Sequence, residues 1–234
     1  MDYFRLLRGR VIVAAFLGIS IVLVLVPGID LAISRYFFDG HGFLRYREFQ
    51  NLQQTCLTVF LCTSFTAVAA LYGYNRMHRR NVADVDGRRV LYLLLVLVIG
   101  PGLIVNTTLK DNFGRARPRD VVEFGGAKQF TPAFIVSREC NRNCSFSSGD
   151  AAGGFFAIAL ALALSRRRAV LVAAFAFGAA VSLSRIASGA HFFSDTVVSF
   201  FIVLLVSDIL HHYIVLSAVE RRGLMPAVAI RPPA

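Results

Sequence analysis

The chain has almost no amphipathic periodicity. Its apolar residues, 56% of the 234, lie in long runs. They neither alternate with polar ones, as in half-buried strands, nor recur at helical spacing, as in soluble helices. This excludes an ordinary water-soluble domain, and the missing alternating segments of roughly ten residues exclude a membrane β-barrel. Acidic residues are scarce as well, 14 against 25 Lys and Arg, giving a net charge of +11. No small-x-small cleavage site follows the first apolar run, so that run reads as a retained helix and not as a signal peptide. Without a low-complexity linker or an internal repeat, residues 1–234 read as one integral membrane domain.

Six apolar runs remain: 11–27, 55–73, 90–109, 151–164, 169–188 and 196–216. Most approach the ~20 residues that cross a hydrocarbon layer as a helix, and the fourth does so only if its helix begins earlier, within SSGD. The expectation is an all-α polytopic bundle of six transmembrane helices. The segment 28–54 carries Tyr36, Phe37, Phe38, Phe43 and Tyr46 among charges, which suits a stretch lying at the lipid interface or an ordinary connecting loop. Pro27-Gly28-Ile29-Asp30 reads as a turn.

The positive charge sorts by topology and does not call for nucleic acid. Arg5, Arg8 and Arg10, then Arg76, Arg79, Arg80, Arg88 and Arg89, then Arg166, Arg167 and Arg168, then Arg221 and Arg222 all fall on one side of a six-span layout. By the positive-inside rule that side is the cytoplasm, with both termini inside. The outside segment breaks the rule, because it holds Lys110, Arg115, Arg117, Arg119, Lys128, Arg138 and Arg142, and Arg185 ends the fifth run on the same side. An anionic ligand is the simplest reason for cations there. Of the four cysteines, Cys56 and Cys62 read as filler within the second run. Cys140 and Cys144 are placed to close a small ring in an oxidising compartment.

Three stretches on that side carry chemistry. KDNFGRARP puts Lys110 at the end of the third run and Arg117 seven residues on; SSGD, residues 147–150, opens the fourth; SRIASGAHFFSD holds Arg185, His191 and Asp195. Each alone has a structural account as snorkelling cations, an N-cap cluster or a helix-terminal acid. Together, in this order and spacing, they resemble the type 2 phosphatidic acid phosphatase family of membrane lipid phosphatases, which shares its site with vanadium haloperoxidases. The family pattern is K-x6-R-P, P-S-G-H and S-R-x5-H-x3-D. The first and third motifs fit in full; the second keeps Ser148 and Gly149, with Ser147 in place of proline and Asp150 in place of histidine.

The resemblance implies a phosphoryl-transfer site at the extracytoplasmic ends of helices 3 to 6. Lys110, Arg117, Ser148, Gly149 and Arg185 would bind the phosphate, whose transfer depends mostly on placement and charge stabilisation. His191 would be the nucleophile, passing through a phosphohistidine, and Asp195 would hold its other ring nitrogen, sharing a face with it if the stretch is helical. No metal or other cofactor is implied, and the carboxylates form no recognisable metal-ligand pattern. Asp150 stands where the family's proton donor stands. It either works as the acid, protonated beside a dianionic substrate, or faces a leaving group that needs little acid, or marks a repurposed site. Acidic residues at this position resemble those of some bacterial members, among them lipid A phosphatases.

The expected protein is therefore a metal-independent lipid phosphatase of a bacterial inner membrane, its site facing the periplasm. Lipid A phosphate is the favoured substrate; undecaprenyl pyrophosphate, phosphatidylglycerol phosphate and lipid-to-lipid phosphoryl transfer are the alternatives. Partners would be lipids, with neither nucleic acid nor another protein. A transporter would need mid-span charges, whereas Lys110, Arg117, Asp150, Arg185, His191 and Asp195 all lie near run ends.

Overall fold

A computed structural model describes residues 2–44, 46–165 and 167–216, with the side chains of 2–8 and 46–49 excepted. The side chains of Arg5, Arg8 and Tyr46, and residues Arg166, Arg221 and Arg222, therefore lie outside the described set. The chain forms seven helices among the described residues: α1 Asp2–Leu25, α2 Gly28–Tyr36, α3 Tyr46–His78, α4 Gly87–Asn112, α5 Gly149–Leu164, α6 Arg168–Ala187 and α7 Phe193–Leu216. Short 3-10 turns at Val82–Asp84, Pro118–Asp120 and Val122–Phe124 interrupt the connections.

The architecture is an all-α membrane bundle; four of the six expected runs fall within a helix, and 11–27 and 169–188 extend one or two residues past the ends of theirs. Four helices, α3, α4, α6 and α7, are long and apolar enough to cross a membrane, and α1 with α2 makes a fifth if that pair, bent by 83°, is one span. The sixth expected span is α5, which starts at Gly149 and has only 16 residues, roughly 24 Å of helix. Its composition explains its length. Eleven of the 16 residues are buried, so neighbouring helices and not lipid surround it. Outward-facing apolar residues such as Leu17 and Ile21 of α1, Val59 of α3 and Val172 and Phe175 of α6 form the lipid-facing shell.

Small residues make α5 a central post. Gly154 meets Val181 and the Cα of Gly178 on α6, and a Cβ on Gly178 would overlap the Phe155 ring, so the two helices approach at the distance small residues allow. Gly153 packs under Leu57 of α3. Phe155, Ile158, Val198, Ile202 and Val203 fill the α5–α7 side, and Tyr92, Leu93, Val96 and Phe156 the α4–α5 side.

Two local expectations change. The turn expected at residues 27–30 is confined to Pro27, at the 83° bend between α1 and α2; Gly28 to Asp30 are already helical, and Asp30 lies in α2 with 1% exposure. Nor do all the aromatic residues of 28–54 reach outward. Phe38 and Phe43 pack against Phe124 of the 110–150 segment at centroid distances of 5.4 and 5.3 Å, in tilted and edge-on contacts, while Tyr36 is exposed.

Gly178→Val should force Phe155 from its rotamer and lower stability by about 1–3 kcal/mol, the usual effect of overpacking. Gly18→Val, where nothing lies within 4 Å of the added Cβ, serves as the comparison. Thermal midpoints in detergent should fall for the first variant and hold for the second; equal midpoints would contradict the close α5–α6 contact.

Candidate active site

The three motifs converge at one end of the bundle, where α4 and α6 end and α5 and α7 begin. In α4, Pro101 supplies no N–H, and Val98–Leu109 runs as a widened π-type helix. The Thr107 and Thr108 hydroxyls donate to carbonyls five residues back, Gly102 at 3.2 Å and Leu103 at 3.0 Å. Past Asn112, Gly114 turns the chain at φ +60°, in a space that the Ser137 carbonyl closes to any side chain. Arg115 and Arg117 follow, both buried.

Arg115 is the hub. Its Nη1 donates to Asp195 Oδ1 at 2.6 Å and Ser194 Oγ at 2.8 Å, Nη2 to Asp30 Oδ2 at 2.8 Å, and Nε to the Thr131 carbonyl at 2.8 Å. The Phe192 ring lies 4.4 Å from its guanidinium carbon. Asp30 also accepts from the Ser194 N–H at 2.8 Å and from its hydroxyl. Asp195 Oδ2 accepts from the Ser145 hydroxyl and from the Phe192 N–H at 2.8 Å. Two carboxylates thus enclose one guanidinium, with their remaining lone pairs largely satisfied, as a buried ion network requires.

His191 sits against this network with 1% exposure. Its Nδ1 lies 2.8 Å from the Ser145 carbonyl and 3.6 Å from Asp195 Oδ2. A carbonyl only accepts, so Nδ1 carries the proton and Nε2 keeps its lone pair. The expected partner of Nδ1 was Asp195; the backbone of Ser145 is nearer. The helical explanation is also corrected. α7 begins at Phe193, after His191, and Asp195 reaches back to cap that helix, so the pair meets through the cap and not through a shared helical face. Burial pushes the His191 imidazole down to about 4, against the opposing hydrogen bond and charge of Asp195, with Arg117 and Arg185 acting in the direction of burial. The ring is neutral at pH 7.

Ser148 caps α5, its Oγ accepting from the Ala151 N–H at 3.3 Å, and Gly149 starts the helix where a Cβ would strike Asn106. The start of α5 is tied to α7 through Ser199, whose hydroxyl donates to the Ser148 carbonyl at 2.9 Å. Asp150, a quarter exposed, forms an ion pair with Arg185, Oδ2 to Nε 3.0 Å. Arg117 donates to the carbonyl and side chain of Asn143. Lys110 lies within electrostatic range of Arg117, Asp150 and Arg185.

A groove of about 430 Å³ runs between α3, α4 and α5, apolar at Leu57, Leu61, Leu97 and Pro101 and polar at Lys110 and Asp150. A slightly larger cavity, about 460 Å³, opens among Arg76, Arg80, Arg88 and Arg89 at the opposite end, remote from all three motifs. Chemistry and not size selects the first. Cys140 and Cys144 are joined as a disulfide, Cys56 and Cys62 are free, and His211 packs its ring on Tyr92 near the far end of α7. Among the described residues, no three His, Cys, Asp or Glu side chains gather as a metal site would.

Not every cation of the 110–143 segment is available to an anion. Arg115 is neutralised internally, and Arg119 and Lys128 lie 3.7 and 4.0 Å from Asp120 carboxylate oxygens. Asp30, Ser145 and Ser194 escaped the reading of the sequence. The one available signal was a lone carboxylate in an apolar stretch, at Asp30.

Residues 89–217 match the PAP2 superfamily. The chain is 43% identical over 113 residues to a lipid A 4'-phosphatase of Francisella tularensis subsp. novicida, covering 47% of this chain and 51% of that protein. It is 32% identical over 197 residues to a lipid A 4'-phosphatase of Rhizobium leguminosarum, 77% of this chain and 84% of that one. A lipid A 4'-phosphatase of Rhizobium etli is 32% identical over 186 residues, 72% of each chain. The chain thus spans about half the length of the Francisella protein and most of the two Rhizobium ones. No solved structure is significantly similar to it.

Removing Asp30 would leave Arg115 and Ser194 short of a partner inside the protein. Asp30→Ala should cost about 3–5 kcal/mol, the range for breaking a buried ion pair. Asp84→Ala, which removes the Asp84–Arg89 pair, 3.6 Å apart and open to solvent at Asp84, should cost about 0–1 kcal/mol. Chemical denaturation of the two alanine variants tests the contrast. A second expectation concerns protonation. A histidine held below its ordinary value stays neutral to lower pH, so the His191 ring resonance, assigned by its absence in His191→Ala, should titrate well below pH 6.5; a midpoint at or above 6.5 would contradict the buried neutral ring.

Proposed function

Because the chain belongs to the PAP2 superfamily, we propose that it is an integral membrane phosphatase that removes a phosphate from lipid A or a closely related lipid phosphate, using His191 as nucleophile. The observation that carries the proposal is the His191 ring, with Nδ1 bonded to the Ser145 carbonyl, leaving the Nε2 lone pair free within electrostatic range of Arg117 and Arg185.

In the proposed reaction, Lys110, Arg117 and Arg185 hold the phosphate and neutralise the charge that its equatorial oxygens carry. Nε2 forms a bond to phosphorus as the ester P–O bond breaks, and the leaving oxygen takes a proton from Asp150. The imidazolium character that develops is stabilised by Asp195, 3.6 Å from Nδ1 and itself held by Arg115. Water, deprotonated by the Asp150 carboxylate, then cleaves the P–N bond, releasing phosphate and restoring neutral His191. A phosphate that draws Arg185 toward itself would loosen the Asp150 pair and set the carboxyl beside a dianion, where holding a proton is favoured.

The groove between α3, α4 and α5 supplies an apolar path for acyl chains below Lys110 and Asp150. In this reading all 234 residues work as one domain, since Asp30 of α2 reaches the site from outside the matched region 89–217. The arginine distribution supports a bacterial inner membrane protein with both termini in the cytoplasm, six spans and the site on the periplasmic side. Neither metal, other cofactor nor protein partner enters the chemistry.

Detergent-solubilised protein should release phosphate from lipid A, undiminished by EDTA. His191→Ala should lower the rate at least 10³-fold, on the order of losing a covalent nucleophile. Substantial turnover in that variant would exclude the mechanism, and loss with EDTA would exclude metal independence. For Asp150→Asn, the rate should fall about 10²-fold or more on a phosphomonoester and much less on a pyrophosphate, whose leaving group needs little acid. Equal losses would instead leave Asp150 only the role of holding Arg185 through their 3.0 Å ion pair.

A further inference from the structure

The ring closed by Cys140 and Cys144 has a use beyond stiffening a loop. Its fourth member, Asn143, adopts φ 52°, a left-handed conformation that asparagine tolerates better than most residues. Both of its oxygens reach Arg117. Nη2 donates to the Asn143 carbonyl at 2.8 Å and to Oδ1 at 3.0 Å, and Nε donates to the same carbonyl at 3.3 Å. The side of the guanidinium that carries Nε and Nη2 is thus turned toward Asn143.

The ring is anchored on both flanks. Cys144 is fully buried, and the next residue, Ser145, donates its N–H to the Arg115 carbonyl at 2.9 Å while its own carbonyl receives the His191 Nδ1 proton. On the other flank, Cys140 lies against Gly114, which has no room for a side chain between the Cys140 and Ser137 carbonyls. Ser137 is bonded to that same turn, through Phe113 O at 2.9 Å and Gly114 O at 2.7 Å. The disulfide therefore closes a loop whose two flanks, Ser137 and Ser145, are hydrogen-bonded to the 113–115 segment that leads into Arg117, with Asn143 held beside the guanidinium.

We propose that Asn143, presented by the Cys140–Cys144 ring, is a positioning residue that fixes the Arg117 guanidinium for phosphate, and that phosphate affinity accordingly depends on the disulfide. The inference rests on the reading of Arg117 as a phosphate ligand. An arginine fork oriented before binding loses less side-chain freedom on meeting a phosphate than a loose one does. Reduction by a dithiol adds two electrons and two protons to the S–S bond, gives two thiols, oxidises the reagent to its own disulfide and releases Asn143.

The test uses the full-length solubilised protein and orthovanadate, a phosphate-shaped anion, with binding read by calorimetry, and compares Asn143→Gly, Asn143→Ala and the Cys140→Ser/Cys144→Ser pair. Asn143→Gly keeps the left-handed backbone and the carbonyl and loses only Oδ1, so its affinity should fall slightly. Asn143→Ala disfavours the backbone conformation as well, and it should weaken vanadate binding about 5- to 20-fold, with KM for lipid phosphate rising in parallel. Dithiol treatment of the wild type and the double serine variant should match that loss, and dithiol should then have no effect on the serine variant. In an Arg117→Ala background, none of these changes should weaken binding further. Unchanged affinity in Asn143→Ala, or an equal further loss in the Arg117→Ala background, would overturn the positioning role while leaving the phosphatase reading intact. Wild-type protein that binds no vanadate would overturn the phosphate site and this inference with it.

Discussion

A buried guanidinium must be neutralised and hydrogen-bonded, and Arg115 meets that requirement through residues from three separate parts of the chain. Asp30 approaches from α2, Asp195 from the cap of α7 and the Thr131 carbonyl from the connecting segment. Such a network makes little net contribution to stability, because desolvation offsets much of the Coulomb attraction. Its effect is geometric. With Asp195 fixed by Arg115, Ser145 and the Phe192 N–H, the His191 ring is held in one plane and one tautomer. The nearer acceptor of the ring proton is the Ser145 carbonyl, at 2.8 Å, and the Asp195 carboxylate stands behind it at 3.6 Å.

The rest of the fold follows from bringing those parts together. α5 is short and rich in glycine and alanine because it runs inside the bundle, where close approach to α3 and α6 matters more than span. The widened turn of α4 after Pro101 carries Asn106 and Lys110 to the groove beside Asp150. The Phe38 and Phe43 rings pack against Phe124 of the connecting segment, and Phe43 occupies the space that only a glycine at 189 leaves open in the turn before His191. Rigid packing at this end and an apolar groove along one side suit a reaction in which the headgroup is fixed and the acyl chains remain in lipid.

Opposite charges are used in two ways within a short distance. Arg115 is spent on internal order, whereas Lys110, Arg117 and Arg185 remain at the candidate phosphate site, Arg185 with Asp150 as its counter-charge. A carboxylate beside these cations has a structural basis in that ion pair. Asp150 holds Arg185 in place, and its release by phosphate is the step that would convert it into a proton donor.

Long apolar runs dictated the helices, since a backbone in lipid has few other ways to satisfy its hydrogen bonds. Motif spacing was enough to name Lys110, Arg117, Ser148, Gly149, Asp150, Arg185, His191 and Asp195 as one set, because local order along the chain preserves which residue type stands beside which turn. What spacing cannot carry is a contact between residues 85 or 164 positions apart, such as Arg115 with Asp30 or Ser194 with Asp30. Nor can it report backbone groups, and the acceptor of the His191 proton is a carbonyl present in every residue. The sequence alone determined the class of fold and the chemical groups assembled at one end. Only the tertiary structure decided which cation is neutralised internally, which acceptor sets the histidine tautomer and which loop residue orients Arg117, because those choices depend on buried hydrogen bonds between distant segments.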